Sequence, residues 1–278
     1  MNRLTPLIRP LIVLGTLALA AVALPSHAAS AQECTAIKMC YCVNQDFIPL
    51  IESKVKFFRE AIAAERAKGK AIGYLSVPLS TFAGGYFDVN AEVSLATKQR
   101  LEARFGSSSA WILNPGTKES DLTLPSGVRG THGDYMLMWT RILEGPTAMG
   151  EDFDFVYFAG PTDFAAYFGL TGSGDMDKLA AFFDDRLAKD ASLKRAVERK
   201  QVDRNSFRNY YSLRASVAFS NGAHDEWNIF RILNERRRAD PKLGTPSQIP
   251  VLFDGKAVSA AAFEQAVMPG SSGVCKTN

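Results

Sequence analysis

The sequence predicts an α/β protein, a three-layer domain in which a mostly parallel sheet of about five strands carries helices on both faces in the Rossmann-like manner. Three observations predict it. Short apolar runs alternate with amphipathic helical patterns along most of the chain, which is the signature of successive βα units. Those runs are apolar throughout, as strands covered on both faces must be. Most of them end in Gly, Pro, Ser or Asn, the residues that turn a strand into the next helix.

Taken in order, Phe47, Leu50, Ile51, Val55, Phe58 and Ile62 recur at helical spacing between Asp46 and Lys68, and Gly69 follows as a stop. Ala71 to Pro78 is a short apolar run and the first predicted strand. Gly84-Gly85 breaks the chain, and Asn90 is positioned to cap a helix running to about Phe105. Ala110 to Pro115 predicts a second strand. The stretch from Gly116 to Gly130 reads as a long loop, a length at which loops are often functional. A helix through Tyr135, Met138, Trp139, Ile142 and Leu143 leads to the third strand, Phe153 to Ala159. Helical patterns from Asp175 to about Arg199 follow, with Asp175 as N-cap. A fourth strand is expected over Leu213 to Phe219, a helix from about His224 to Arg238, and a last strand over Ile249 to Phe253.

The first nine residues carry Arg3 and Arg9 and no acid, and an apolar run from Pro10 to Pro25 follows. This is the pattern of a secretory leader, too short for a comfortable bilayer span. Both Ser26-His27-Ala28 and Ala29-Ser30-Ala31 fit the small-residue cleavage pattern. Cleavage after Ala31 is expected, so residues 1–31 form the signal peptide and residues 32–278 a single domain without a membrane anchor. With 32 Lys and Arg against 29 Asp and Glu overall, loss of the two leader arginines brings the domain close to neutrality. No basic stripe argues for nucleic acid.

Cys34, Cys40, Cys42 and Cys275 all lie beyond the leader. In the periplasm or outside the cell, an even count reads as disulfides. At least one bridge is expected from the Cys40/Cys42 neighbourhood to Cys275, tying the N-terminal segment to the C-terminus.

No G-x-G-x-x-G follows a strand, and the chain contains no P-loop, H-E-x-x-H or G-x-S-x-G. No cofactor and no metal are therefore expected, although His132 with Asp134 and His224 with Asp225 compose a conceivable two-His, two-Asp set. In open α/β sheets ligands bind beyond the carboxyl ends of the strands. Four segments fall there: Ser76 to Ser80, Asn114 to Gly116, Ala159 to Asp163, and Ser220 to Glu226. In the last, Ser220 and Gly222 offer a small, permissive backbone, and Glu226 is expected in the first turn of a helix whose dipole favours its ionised form. A carboxylate there is a candidate nucleophile for an anomeric carbon.

The pieces Gly73-Tyr-Leu-Ser-Val-Pro78, Ile112-Leu-Asn-Pro115, Gly133-Asp-Tyr-Met-Leu-Met-Trp139, Phe153-Asp-Phe-Val-Tyr-Phe158 and Ser220-Asn-Gly-Ala-His-Asp-Glu226 occur in an order that resembles nucleoside 2-deoxyribosyltransferase-like proteins, a family that includes nucleotide N-glycoside hydrolases. The resemblance implies Glu226 as nucleophile, Asp134 orienting sugar or base, Ser220 and Gly222 forming the sugar or phosphate loop, and Tyr74 and Pro78 lining the pocket floor. The family's turn usually follows its Asp-led strand directly, whereas here helical patterns intervene. A competing alignment uses Gly160-Pro-Thr-Asp163-Phe-Ala-Ala-Tyr167, which lacks the Glu and would leave a fold without that chemistry; Asp163 is counted among the candidate binding residues.

Two other classes stand beside this reading. An exported binding module for a small molecule, a nucleoside or sugar, would stack it on Tyr74, Tyr86, Phe87 and Trp111, with Glu226 paired or turned to solvent. A structural or interaction protein of the envelope would have no enclosed polar pocket. The enzyme reading expects Glu226 and Asp134 in one pocket.

Overall fold

A computed structural model describes residues 29–79, 84–243, 247–271 and 275. The elements in chain order are β1 (Ser30–Cys34), β2 (Cys40–Asn44), α1 (Ile48–Ala67), β3 (Ala71–Ser76), α2 (Phe87–Phe105), β4 (Ala110–Leu113), α3 (His132–Glu144), β5 (Phe155–Phe158), α4 (Pro161–Phe168), α5 (Asp175–Lys189), α6 (Ala191–Glu198), α7 (Arg204–Asn209), α8 (Asn221–Ala239), β6 (Val251–Phe253), β7 (Lys256–Val258) and α9 (Ala260–Gln265).

The main sheet has the order β4-β3-β5-β6-β7. Its first four strands are parallel, and β7 turns back antiparallel on β6. The predicted three-layer α/β architecture is thus the one observed. One face is covered by α1, α3, α8 and α9 around a core that includes Ile51, Phe58, Trp139 and Phe230. The other is covered by α2 and by α4 to α7, around Val89, Phe164, Phe183, Phe207 and Tyr211.

Local chemistry explains the framework. Helix α1 buries Ile51, Val55, Phe58 and Ile62, a spacing of three and four residues that keeps one stripe on the sheet. In β3, Gly73 is required for close packing: a Cβ there would come within 2.4 Å of the Phe155 ring and 2.8 Å of Ile112 Cδ1. Asp154 closes the opposite end of the sheet, its Oδ2 accepting from Ile72 N at 2.7 Å and its carboxylate pairing with Arg66 at 3.1 Å.

Three expectations change. Residues 213–219 are not a strand: a π-turn occupies Tyr210–Arg214 and a 3-10 turn Val217–Phe219. Strands β5 and β6 pair with each other directly, Val156 opposite Val251, which leaves no place between them. Buried Tyr210, Tyr211 and Ala215 join the second core instead. Helix α2 begins at Phe87, not at Asn90, which is buried within it. Beyond Phe253 the chain continues through Asp254 (φ +49°) and Gly255 (φ +78°) into β7, the two-residue turn that an Asp-Gly pair favours.

The N-terminal hairpin β1–β2 lies outside the main sheet and is closed by Cys34–Cys40, while Cys42–Cys275 ties it to the C-terminus. The expected link between the two ends of the domain is therefore present. Two disulfides and no free cysteine among the described residues are the usage of an oxidising, non-cytoplasmic compartment. Most of the predicted leader lies outside the described residues. Among those described, no helix is long and apolar enough to cross a membrane.

Candidate active site

Beyond the carboxyl ends of β3 and β4 lies a cleft of about 680 Å³, within the range of small-molecule sites. Val77 and Leu79 line it from the segment after β3, Phe87 and Asp88 from α2, Pro115 to Lys118 from the loop after β4, and His132, Tyr135, Met136 and Trp139 from α3. Ser220, just before α8, and Gly222, Ala223 and Glu226 of α8 form a further wall.

Glu226 is its most unusual lining group. The side chain is 5% exposed, yet it reaches the cleft, and both of its oxygens are held from the strand below. Tyr74 donates to Oε1 at 2.6 Å and Ser76 to Oε2 at 2.5 Å. Burial pushes the carboxyl up to about 7, against the two hydroxyl donors that favour its charge, and neighbouring Asp225 pushes the same way as burial. The expectation of a carboxylate ionised by the helix dipole is corrected here. Ser220 is the N-cap, its Oγ accepting from Ala223 N at 3.3 Å, so α8 starts three residues earlier than predicted. Glu226 consequently stands in the second turn, where the dipole has largely faded and desolvation prevails.

The other expected site residues divide. Ser220 and Gly222 line the cleft as anticipated. Tyr74 lies beneath it, fully buried, and acts through Glu226. Val77 and Leu79 face the cleft while Pro78 between them does not, the alternation expected of extended chain.

Asp134 does not join Glu226. Its Oδ2 accepts from Thr131 N and Thr131 Oγ1, both at 2.7 Å, and its Oδ1 from Asn44 N at 2.9 Å. Both oxygens are thus occupied in capping α3 and fastening β2 to it. Gly133 allows that approach, because a Cβ there would lie 2.1 Å from the Cys42 carbonyl oxygen.

Asp163 is likewise outside the cleft. It caps α4 by accepting from Gly160 N at 2.9 Å, takes the Tyr157 hydroxyl, and pairs with Arg100. Of the anticipated stacking aromatics, Phe87 lines the cleft and is 48% exposed. Tyr86 is buried and donates to Asp88, and Trp111 lies under the Lys98 ammonium.

Sequence reasoning missed Tyr135 and Trp139 as cleft residues. With His132 they fall at the three- and four-residue spacing of one helix face, a signal present in the chain. The conceivable two-His set is divided as well: His132 Nε2 lies 3.4 Å from Asp225 Oδ2, whereas His224 Nδ1 faces the Pro269 carbonyl at 3.1 Å. Among the described residues no three His, Cys, Asp or Glu side chains are grouped to hold a metal.

The site is a mostly apolar cleft at the strand ends with a neutral-range carboxyl in its lining, an arrangement suited to proton transfer or to attack on an electrophilic carbon. The chain matches no protein-family model, no curated protein and no solved structure.

Proposed function

We propose that the protein is an exported enzyme that cleaves or transfers an N-glycosidic bond, with Glu226 as its reacting carboxylate. One observation carries the reading: a carboxyl in the lining of a ligand-sized cleft is aimed by Tyr74 and Ser76 and titrates near neutrality. In its ionised form it attacks the anomeric carbon, the C–N bond breaks, and the glycosyl ester passes to water or a second acceptor. Phe87, Tyr135 and Trp139 offer apolar surface to a heterocycle. The test is Glu226→Gln, purified with its disulfides intact and assayed on a panel of free nucleosides. Lost turnover with an unchanged circular dichroism spectrum supports the reading, and full turnover refutes it.

A second reading, binding without chemistry, is favoured by a specific observation. Both Glu226 oxygens already accept hydrogen bonds, and Asp134, the carboxylate expected to work beside it, is occupied in capping α3 outside the cleft. Calorimetry with the same panel separates the two, since this reading expects saturable binding and no product from the wild-type protein.

Export rests on the apolar segment that precedes the domain. We place the cleavage after Ala28, because Ala29 O accepts from Gln45 N and Ser30 already pairs with Asn44. A mature chain starting at Ala29 is the expected mass, and one starting at Gln32 would overturn this placement.

A further inference from the structure

A second titratable group of the cleft is held by a network that the Glu226 chemistry alone does not use. His132 is the first residue of α3, lines the cleft and has a side chain 45% exposed. Its Nε2 lies 2.6 Å from Ser271 Oγ and 3.4 Å from Asp225 Oδ2. Ser271 is in turn fixed on Asp225, which is fully buried: its backbone N–H donates to Oδ1 at 2.8 Å and its hydroxyl donates to Oδ2.

The segment bearing Ser271 is laid along α8 by several bonds. Trp227 Nε1 donates to Ala266 O at 2.8 Å, and Asn228 exchanges hydrogen bonds with Met268 at 2.8 and 3.1 Å. The disulfide at Cys275 holds the chain beyond it to Cys42.

The hydrogen count fixes the imidazole. A serine hydroxyl has one proton, and Ser271 gives it to Asp225, so its oxygen can only accept from His132. Nε2 must therefore carry a hydrogen, and Nδ1 is the nitrogen whose proton comes and goes.

We propose that His132 is the proton-transfer partner of Glu226, with Asp225 and Ser271 as its positioning residues. This inference rests on the glycosidic reading of the cleft. As Glu226 attacks the anomeric carbon and the C–N bond breaks, the bond's electron pair passes to the departing nitrogen, which takes the Nδ1 proton of the imidazolium. In the second half, water adds to the glycosyl ester and gives its proton to Nδ1. The product is the free sugar, Glu226 leaves as a carboxylate, and the imidazolium is restored. Asp225 and Glu226 on α8, Asp88 on α2, Lys118 and Asp121 on the loop after β4, and Tyr135 on α3 are the ionisable groups that share this environment.

Two measurements test it. On the full disulfide-bonded protein, ring nitrogen NMR is expected to show His132 as the Nε2–H tautomer, and Ser271→Ala is expected to release that preference. An Nδ1–H tautomer, or one indifferent to Ser271→Ala, overturns the positioning. In the kinetic arm, His132→Ala is expected to lose about 10²-fold in kcat/KM on nucleosides, together with the alkaline limb of its pH profile. It should lose less than about threefold on a nitrophenyl glycoside, whose leaving group needs no proton. Equal losses on both substrates would assign His132 a structural role and overturn the proposal. A wild-type protein inactive on both substrates would refute the glycosidic reading and this catalytic role with it, and the tautomer would still report whether the positioning network exists.

Discussion

Stability and activity of the wild-type protein should respond to the Glu226 proton in opposite senses, and replacing Glu226 by glutamine should remove the stability response. In the folded protein this carboxyl titrates near 7, against 4.5 for an ordinary glutamate. Between those values the folded state keeps a proton that the unfolded chain releases, so wild-type stability falls as pH rises through the window. The stabilisation is fully present below 4.5 and is lost by about pH 7 to 8. At about 1.4 kcal/mol per pH unit the loss amounts to about 3 kcal/mol. Glutamine cannot titrate. The stability of the variant relative to wild type should therefore improve by about that amount between pH 4.5 and 8, measured by urea unfolding with the disulfides intact. On the glycosidic reading the ionised form is the nucleophile, so wild-type kcat/KM should rise across the same range while stability declines. A stability difference that does not vary with pH would refute the buried-carboxyl argument. An activity limb well away from 7 would separate the reacting group from Glu226.

Tyr74→Phe removes the donor to Oε1 and leaves a buried acceptor short of a partner. It should cost about 1–3 kcal/mol in unfolding free energy and move the acid limb of the pH profile upward. Asp134→Ala should cost a similar amount through the lost cap and the lost tie to Asn44, with kcat/KM on nucleosides unchanged; a selective loss of activity would return Asp134 to the chemistry. Replacing Cys42 and Cys275 together by serine opens a loop spanning 233 positions, and the chain-entropy relation sets an upper bound of about 5 kcal/mol on the loss, read from denaturant midpoints. Tyr211→Phe removes the donor to Asn90 Oδ1 at 2.7 Å and the acceptor of Tyr86 N at 2.9 Å. Because Phe87 follows in the cleft wall, its KM should rise more than its kcat falls.

The parts of the fold legible in the sequence were those whose burial imposes a period or a continuous apolar run. Helix α1 and strands β3 and β5 are of this kind, as is α3. Residues 213–219 misled because a run such as Leu213 to Phe219 is compatible with a strand, and whether it becomes one depends on a vacancy in the sheet that β5 and β6 do not leave. The hairpin β1–β2 has only five residues a strand and is held by a disulfide, by Asp134 and by Tyr41 and Val43 packed into the first core, a partnership that so short a pattern does not display. Asp134 itself carried a readable signal, Thr131-x-x-Asp134, which is a helix start; its apparent chemistry was a cap. Glu226 was located by the small residues before it, but its charge state depended on burial beneath α8, which only the packing reveals.

The long separation between the Asp-led strand and the Glu226 turn has a structural resolution. After β5 the chain leaves the sheet and builds α4 to α7 on the face opposite α3 and α8, burying Phe164, Phe183 and Phe207 there. It then returns over the same carboxyl edge it left, because α8 must enter the first layer before β6 can pair with β5. That return sets Ser220 above the cleft and brings Glu226 onto Tyr74 and Ser76 of β3, 152 and 150 positions earlier in the chain. The position of the Glu226 carboxyl is thus governed by sheet order, not by the length of the excursion. The excursion still touches the segment beside Phe87, where Tyr211 holds the Tyr86 backbone and Asp190 lies 3.4 Å from the Tyr86 hydroxyl. Substitutions elsewhere among α5 and α6 should then act on stability alone, while those at Tyr211 should also change how the cleft wall meets its ligand.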